Sequence, residues 1–85
     1  MTLTELRYII AVAQEKHFGR AAAACFVSQP TLSVSIKKLE DELNTRIFER
    51  KSNQIALTAV GERLVKQAQL IVEESNKMRL IADQG

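Results

Sequence analysis

Eighty-five residues, 46% hydrophobic and 26% charged, make one small domain or one domain with an appended element. No uninterrupted apolar stretch approaches the roughly eighteen residues that a membrane span needs, so a membrane partner is set aside. The single cysteine, Cys25, excludes an internal disulfide and a cysteine-based metal site, and the single histidine, His17, has no ligand cluster, so neither metal nor cofactor is expected.

The amino terminus has no basic region followed by an apolar core and a cleavage site, which points to a cytoplasmic location. The net charge of +2 is small, but its distribution is informative. Residues 1–58 hold eight Lys/Arg against six Asp/Glu, whereas residues 59–85 hold four of each. The excess positive charge therefore belongs to the first part of the chain.

Thr2-Leu3-Thr4-Glu5 has the spacing of a capping box and predicts the start of a first helix. Leu6, Ile9, Ile10 and Ala13 follow on one stripe, and the helix is expected to run out near Lys16 and His17, with the histidine at its end, where a positive charge suits the dipole. Phe18-Gly19-Arg20 leads into Ala21-Ala22-Ala23-Ala24-Cys25, a short second helix whose small side chains allow close packing. Cys25 reads as a buried small hydrophobe. Phe26 and Val27 are apolar where a solvated loop would be polar, so the turn is expected to be tucked into the core.

Ser28 is a good N-cap and Pro30 falls in the first turn, where its missing N–H breaks no helical bond. A third helix begins there. Leu32, Ile36, Leu39 and Leu43 share one face, while Pro30, Ser33, Val34 and Lys37 point the other way. Lys37 and Lys38 lie mid-helix and Glu40, Asp41 and Glu42 near its end, so only the first half can approach a polyanion closely. Two short apolar runs around Arg50-Lys51-Ser52-Asn53-Gln54 read as a small basic hairpin. Thr58 caps a last helix of about 25 residues, roughly 37 Å long, with the hinge between head and tail near Thr58. Along it Leu64, Ala68, Ile71, Ser75, Met78 and Ala82 form a coiled-coil-like seam that a short head cannot cover, so self-association is expected.

A helix, a short helix, a turn and a capped helix with a polar outer face is the helix-turn-helix arrangement, with the hairpin as a wing. Ser28, Gln29, Thr31 and Ser33 can reach phosphates or base edges, and Pro30 or the Thr31 methyl can touch a thymine methyl. Arg20, Lys37, Lys38, Arg50 and Lys51 can neutralise phosphates on either side. A helical adaptor would leave the Ser-Gln-Pro-Thr start of the outer face unexplained. No paired acids, nucleophile with base or glycine-rich phosphate loop points to an enzyme.

Arg20-Ala21-Ala22 through Val27-Ser28-Gln29-Pro30-Thr31-Leu32-Ser33, with Ile36, Leu39-Glu40, Phe48-Glu49-Arg50 and Leu57-Thr58-Ala59-x-Gly61, resembles the LysR-type transcriptional regulators over nearly the whole chain. His17-Phe18-x-Arg20-Ala21-Ala22, Cys25 and Leu39-Glu40-Asp41-Glu42-Leu43 are closest to the peroxide-sensing OxyR branch. The resemblance implies a mainly α fold, with a winged helix-turn-helix over residues 1–58 and a linker and dimerisation helix over 59–85. It implies sequence-specific binding of double-stranded DNA by a homodimer on an interrupted inverted repeat, with an oxidative-stress response as output. The dimer would form by antiparallel packing of the long helices through Leu64, Ala68, Ile71 and Met78. Gln29, Pro30 and Ser33 would touch bases, Arg20, Ser28, Thr31 and Lys37 would hold the backbone, and the wing, with Arg50, Lys51 and Asn53, would enter the flanking minor groove. An effector domain and RNA polymerase are the further partners implied for a full-length protein. Two positions depart from the family pattern: Val34 and Asn53 stand where a long polar residue and a wing arginine are usual.

Overall fold

The computed structural model describes residues 1–85 as α1 Leu3–Glu15, α2 Phe18–Ala24, α3 Gln29–Leu43, β1 Phe48–Lys51, β2 Gln54–Leu57 and α4 Ala59–Gln84. Each helix begins on a side-chain acceptor. Thr2 and Glu5 form the expected capping box, Ser28 accepts from the Thr31 N–H, and Thr58 accepts from the Gly61 N–H. The remaining cap corrects the sequence reading: His17 does not end α1 but starts α2, its Nδ1 accepting from the Arg20 N–H at 3.0 Å. That cap lets α2 begin at Phe18, ahead of the alanine run. Lys16, in the left-handed region with φ 53°, turns the chain between the two helices.

The core is built from Leu6, Ile9 and Val12 of α1, Leu32, Ile36 and Leu39 of α3, Ile47 and Phe48 at the start of the hairpin, and Val65 and Ala68 of α4. Ala21 and Ala22 are fully enclosed, and their small volume allows the close packing of α2 that its composition foretold. The buried face of α1 is wider than the Leu6–Ile9 stripe and takes in Tyr8, Ala11 and Val12, while Ile10 and Ala13 lie at its margin. The reason is α4, which packs along a second flank of α1.

Phe26 is not tucked in. It is 95% exposed, and Val27 alone turns inward. Hydrogen bonds from the Phe26 N–H to the Ala23 carbonyl and from the Val27 N–H to the Ala22 carbonyl make a Schellman end to α2. This motif places Phe26 in the left-handed region, with φ 60°, where glycine is the usual occupant and a bulky residue costs about 1 kcal/mol. The same geometry sends its ring into solvent.

β1 and β2 pair antiparallel from Phe48↔Leu57 to Lys51↔Gln54, leaving a two-residue loop. Ser52 and Asn53 both have positive φ, 50° and 65°, as the tight type I′ hairpin turn requires. Beyond the hairpin, the Thr58 hydroxyl donates to the Arg46 carbonyl at 2.6 Å and so ties the start of α4 to the strand entry. Gly61 is required there: a Cβ on it would lie 2.1 Å from the Ile47 carbonyl oxygen.

Helix α4 is a single helix of 26 residues, as its uninterrupted sequence predicts, but it is not a free tail from its first residue. Ala68, expected on a dimer seam, is 1% exposed inside the core of this chain, and Leu64 and Ile71 pack partly against that core. Packing therefore continues across Thr58, which marks a change of element and not a hinge. The second half projects, giving the molecule extents of 50 × 25 × 20 Å. Leu43, on the inner row of α3, is at the rim and 36% exposed. No helix is long and apolar enough to cross a membrane.

Candidate nucleic-acid interface

The outward face of α3 is created by what its inward face must bury. Leu32, Ile36 and Leu39 are held in the core, so Pro30, Val34 and Lys37 are turned to solvent. Ser33 is half-buried at the margin that faces the hairpin. At the amino end, the Ser28 hydroxyl accepts from the Thr31 N–H at 3.2 Å and donates to the Thr31 hydroxyl oxygen at 2.9 Å. Both side chains are exposed and form one polar corner at the start of the helix, a place suited to an anion. Gln29 lies against the first turn of α2, its Oε1 about as close to Gly19 as van der Waals contact permits a Cβ there, at 3.5 Å. The closeness of the two helix starts fixes where Gln29 emerges.

Between α3 and the hairpin runs a trough in two parts that share Arg50. The larger, of about 410 Å³, is bordered by Ser33, Lys37, Arg46 and Arg50. The smaller, of about 240 Å³, is bordered by His17, Gln29, Arg50 and Asn53. The structure thus brings Gln29, Ser33, Lys37, Arg50 and Asn53 to one surface. Pro30 and Val34 lie along the outermost line of α3, and Thr31 and Lys38 flank it on the side away from the hairpin. Arg20 is exposed on α2, and Lys51 lies at the tip of the hairpin.

Three contacts hold the hairpin in position. Glu40 Oε2 accepts from the Ile47 N–H at 2.7 Å and the Phe48 N–H at 3.3 Å, tying β1 to α3. The Phe48 ring meets Phe18 edge-on, with centroids 6.2 Å apart. The Arg50 guanidinium lies over the other member of this pair, 5.5 Å from the Phe18 centroid, an attraction of about 0.5–1 kcal/mol at an exposed site. In the sequence Glu40 and Phe18 stood only in the acidic end of α3 and in the family motif, with no role at this surface, and Arg46 was not singled out. Glu40 stands in an acidic run whose evident effect was to repel a polyanion, and its partners are backbone amides seven and eight residues on, which carry no sequence signal.

The cations of this surface are lightly held by their own chain. Lys37 Nζ lies 3.3 Å from Asp41, Lys51 Nζ 3.5 Å from Glu49, and Arg20 Nε 3.7 Å from Glu15, while Arg20 Nη2 also donates to the Glu15 carbonyl at 3.1 Å. All three cations are mostly exposed, and such pairs contribute only about 0–1 kcal/mol, so they can be exchanged for phosphate at small cost. Cys25 takes no part: it is half-buried, and burial pushes its thiol above the ordinary cysteine value.

The sequence profile of the bacterial regulatory helix-turn-helix proteins of the lysR family matches residues 3–62. The chain belongs to the LysR family. It is 44% identical over 84 residues to the DNA-binding transcriptional dual regulator OxyR of Escherichia coli K12, covering 99% of this chain and 28% of that protein. The hydrogen peroxide-inducible genes activator of Pectobacterium carotovorum is equally similar, 44% identical with the same coverage. This LysR-family chain thus spans little more than a quarter of the length of those relatives. Among solved structures, a full-length OxyR variant from Pseudomonas aeruginosa superposes with a TM-score of 0.96 at 60% identity, covering 100% of this chain and 29% of that one. The complex of the BenM DNA-binding domain with catB site 1 DNA superposes at 0.93 with 32% identity, covering 99% of this chain and 93% of that one. The fold is that of a LysR winged helix-turn-helix followed by a long helix.

Proposed function

We propose that this chain binds double-stranded DNA sequence-specifically in the control of transcription, with α3 in the major groove and the hairpin in the flanking minor groove. The observation that carries the reading is the trough itself. One surface joins the donors of the α3 start, Gln29 and Ser33, to Lys37, Arg50 and Asn53, and α2 and the hairpin, which also border it, carry the exposed cations Arg20 and Lys51. Base-reading groups along a helix, flanked by phosphate-holding cations on neighbouring elements, are what major-groove recognition requires. The BenM DNA complex supports the same docking, since the two folds coincide over nearly the whole chain. In this assignment Gln29, Pro30 and Ser33 meet base edges, and Arg20, Ser28, Thr31 and Lys37 meet phosphates. Arg50, Lys51 and Asn53 follow the wing.

The unit works as a homodimer on an interrupted inverted repeat, with residues 1–58 as the reading head and 59–85 as the linker and dimerisation helix. Leu70, near the middle of α4, and Met78, Leu80 and Ile81 on its projecting half are between 54% and 73% exposed. So much apolar surface on one solvated helix favours a partner helix. The similarity to OxyR proteins extends the reading to a peroxide-responsive regulator of the cytoplasm, whose signal enters through an effector domain outside these residues and whose output passes through RNA polymerase. It is not an enzyme. Selection of bound sequences from a random DNA pool tests the reading: a two-fold related consensus is expected, and retention of all sequences alike would contradict it.

A further inference from the structure

Val34 is the one large apolar side chain that α3 presents to solvent in its first half, and it is 68% exposed. At about 100° per residue it lies roughly 165° around the helix from the mean direction of Leu32, Ile36 and Leu39, so it points almost directly away from the core. Pro30 precedes it by one turn on the same outer line, Ser33 and Lys37 lie to the hairpin side, and Thr31 and Lys38 lie to the other. Asp41 shares the outer line two turns on, but its carboxylate is repelled by a polyanion, so α3 enters a groove by its amino-terminal half. Val34 is then at the centre of the entering face.

The residue has no use in the fold. It is not part of the core, and a β-branched side chain on an exposed helix surface is a weaker helix former than alanine. Its chemistry limits what it can recognise. An isopropyl group neither donates nor accepts, so it is blind to the N7, O6, N6, N4 and O4 atoms of the major-groove edges. The apolar group on those edges is the C5 methyl of thymine. The branch at Cβ also restricts χ1, so the contact is made with little loss of rotamer freedom.

We infer that Val34 reads the C5 methyl of one thymine in each half-site, an apolar contact between the polar readers Gln29 and Ser33 on one side and the phosphate-facing Thr31 on the other. The assignment rests on α3 being the recognition helix, and the test separates the two. A sequence selected from random DNA with this 85-residue chain serves as operator, and each thymine in it is replaced in turn by uracil, which deletes only the methyl. One uracil position per half-site should weaken binding by about fourfold, the value of burying one methyl-sized group. In Val34→Ala the same replacement should have no effect, and the other thymines should behave as before. Val34→Gln should shift the selected base at that position towards adenine. Operator-specific binding with one and the same uracil profile for the parent and Val34→Ala would overturn the Val34 assignment alone. Failure to select any preferred sequence would overturn the DNA-binding reading and this contact with it.

Discussion

Substituting Gly61 by alanine sets two physical effects against each other, and the structure decides between them. In a solvated helix interior alanine is the better residue by about 1 kcal/mol, so propensity alone predicts that Gly61→Ala stabilises the chain. Here the added Cβ would sit 2.1 Å from the Ile47 carbonyl oxygen and 3.0 Å from the Thr58 hydroxyl oxygen. The first neighbour is backbone, held where the chain enters β1, and no rotamer change can move it aside. Relief requires α4 to shift, at the upper end of the 1–3 kcal/mol typical of overpacking, so about 3 kcal/mol. The shift also disturbs the Thr58 cap, whose hydroxyl accepts from Gly61 at 2.9 Å and donates to Arg46, which adds about 1 kcal/mol. Net of the gain in propensity, Gly61→Ala should destabilise by about 3 kcal/mol, a fall in Tm of roughly 12–24 °C for a domain of this size. Thermal and urea unfolding followed by circular dichroism measure this directly. A Gly61→Ala chain as stable as the parent, or more so, would refute the close approach of α4 to the strand entry.

Three further outcomes are expected. Met78→Glu combined with Ile81→Glu should give a monomer in sedimentation at micromolar concentration while leaving the helical circular dichroism spectrum intact, because both side chains are exposed on the projecting half of α4; persistence of a dimer would count against the dimerisation helix. Truncation after Thr58, by contrast, should unfold the head, since it removes Val65 and Ala68 from the core. Cys25→Ser should leave DNA affinity within a few fold under reducing and oxidising conditions alike, and the parent thiol should alkylate more slowly than free cysteine at neutral pH because burial raises its pKa. A large oxidation-dependent loss of binding that Cys25→Ser abolishes would contradict this.

What could be read from the sequence was whatever the chain settles locally. Thr2, Ser28 and Thr58 cap the helices they were expected to cap, because a hydroxyl meeting an N–H three residues on needs no tertiary partner. The hairpin was equally legible, since a polar basic turn between two short apolar runs has few other uses. The misreadings share another cause. Phe26 is exposed because a Schellman turn, which depends on backbone geometry and not on hydrophobicity, sets its direction. His17 was placed at the wrong end of a helix because a ring nitrogen can cap as a hydroxyl does. Ala68 was given to a dimer because a seam of spaced apolar residues looks the same whether it meets another chain or the second flank of α1. At the site, the individual donors and cations were legible, but the Glu40 and Phe18 contacts that aim the hairpin join elements distant in sequence, and no local pattern announces them.

The division of labour along α3 is decided by comparing Lys37→Ala with Gln29→Ala on selected operator and scrambled DNA over a series of salt concentrations. Lys37 is exposed, two turns into the helix and held only by Asp41, so its loss should weaken both DNAs together and lower the salt slope by about one unit. Gln29→Ala should instead lower operator affinity by about 1–3 kcal/mol, relax discrimination at one base position and leave the salt slope unchanged. A Lys37→Ala chain with altered base preference and an intact salt slope, or a Gln29→Ala chain that loses affinity equally for every sequence, would contradict α3 as a helix that reads bases at its start and grips phosphates beyond.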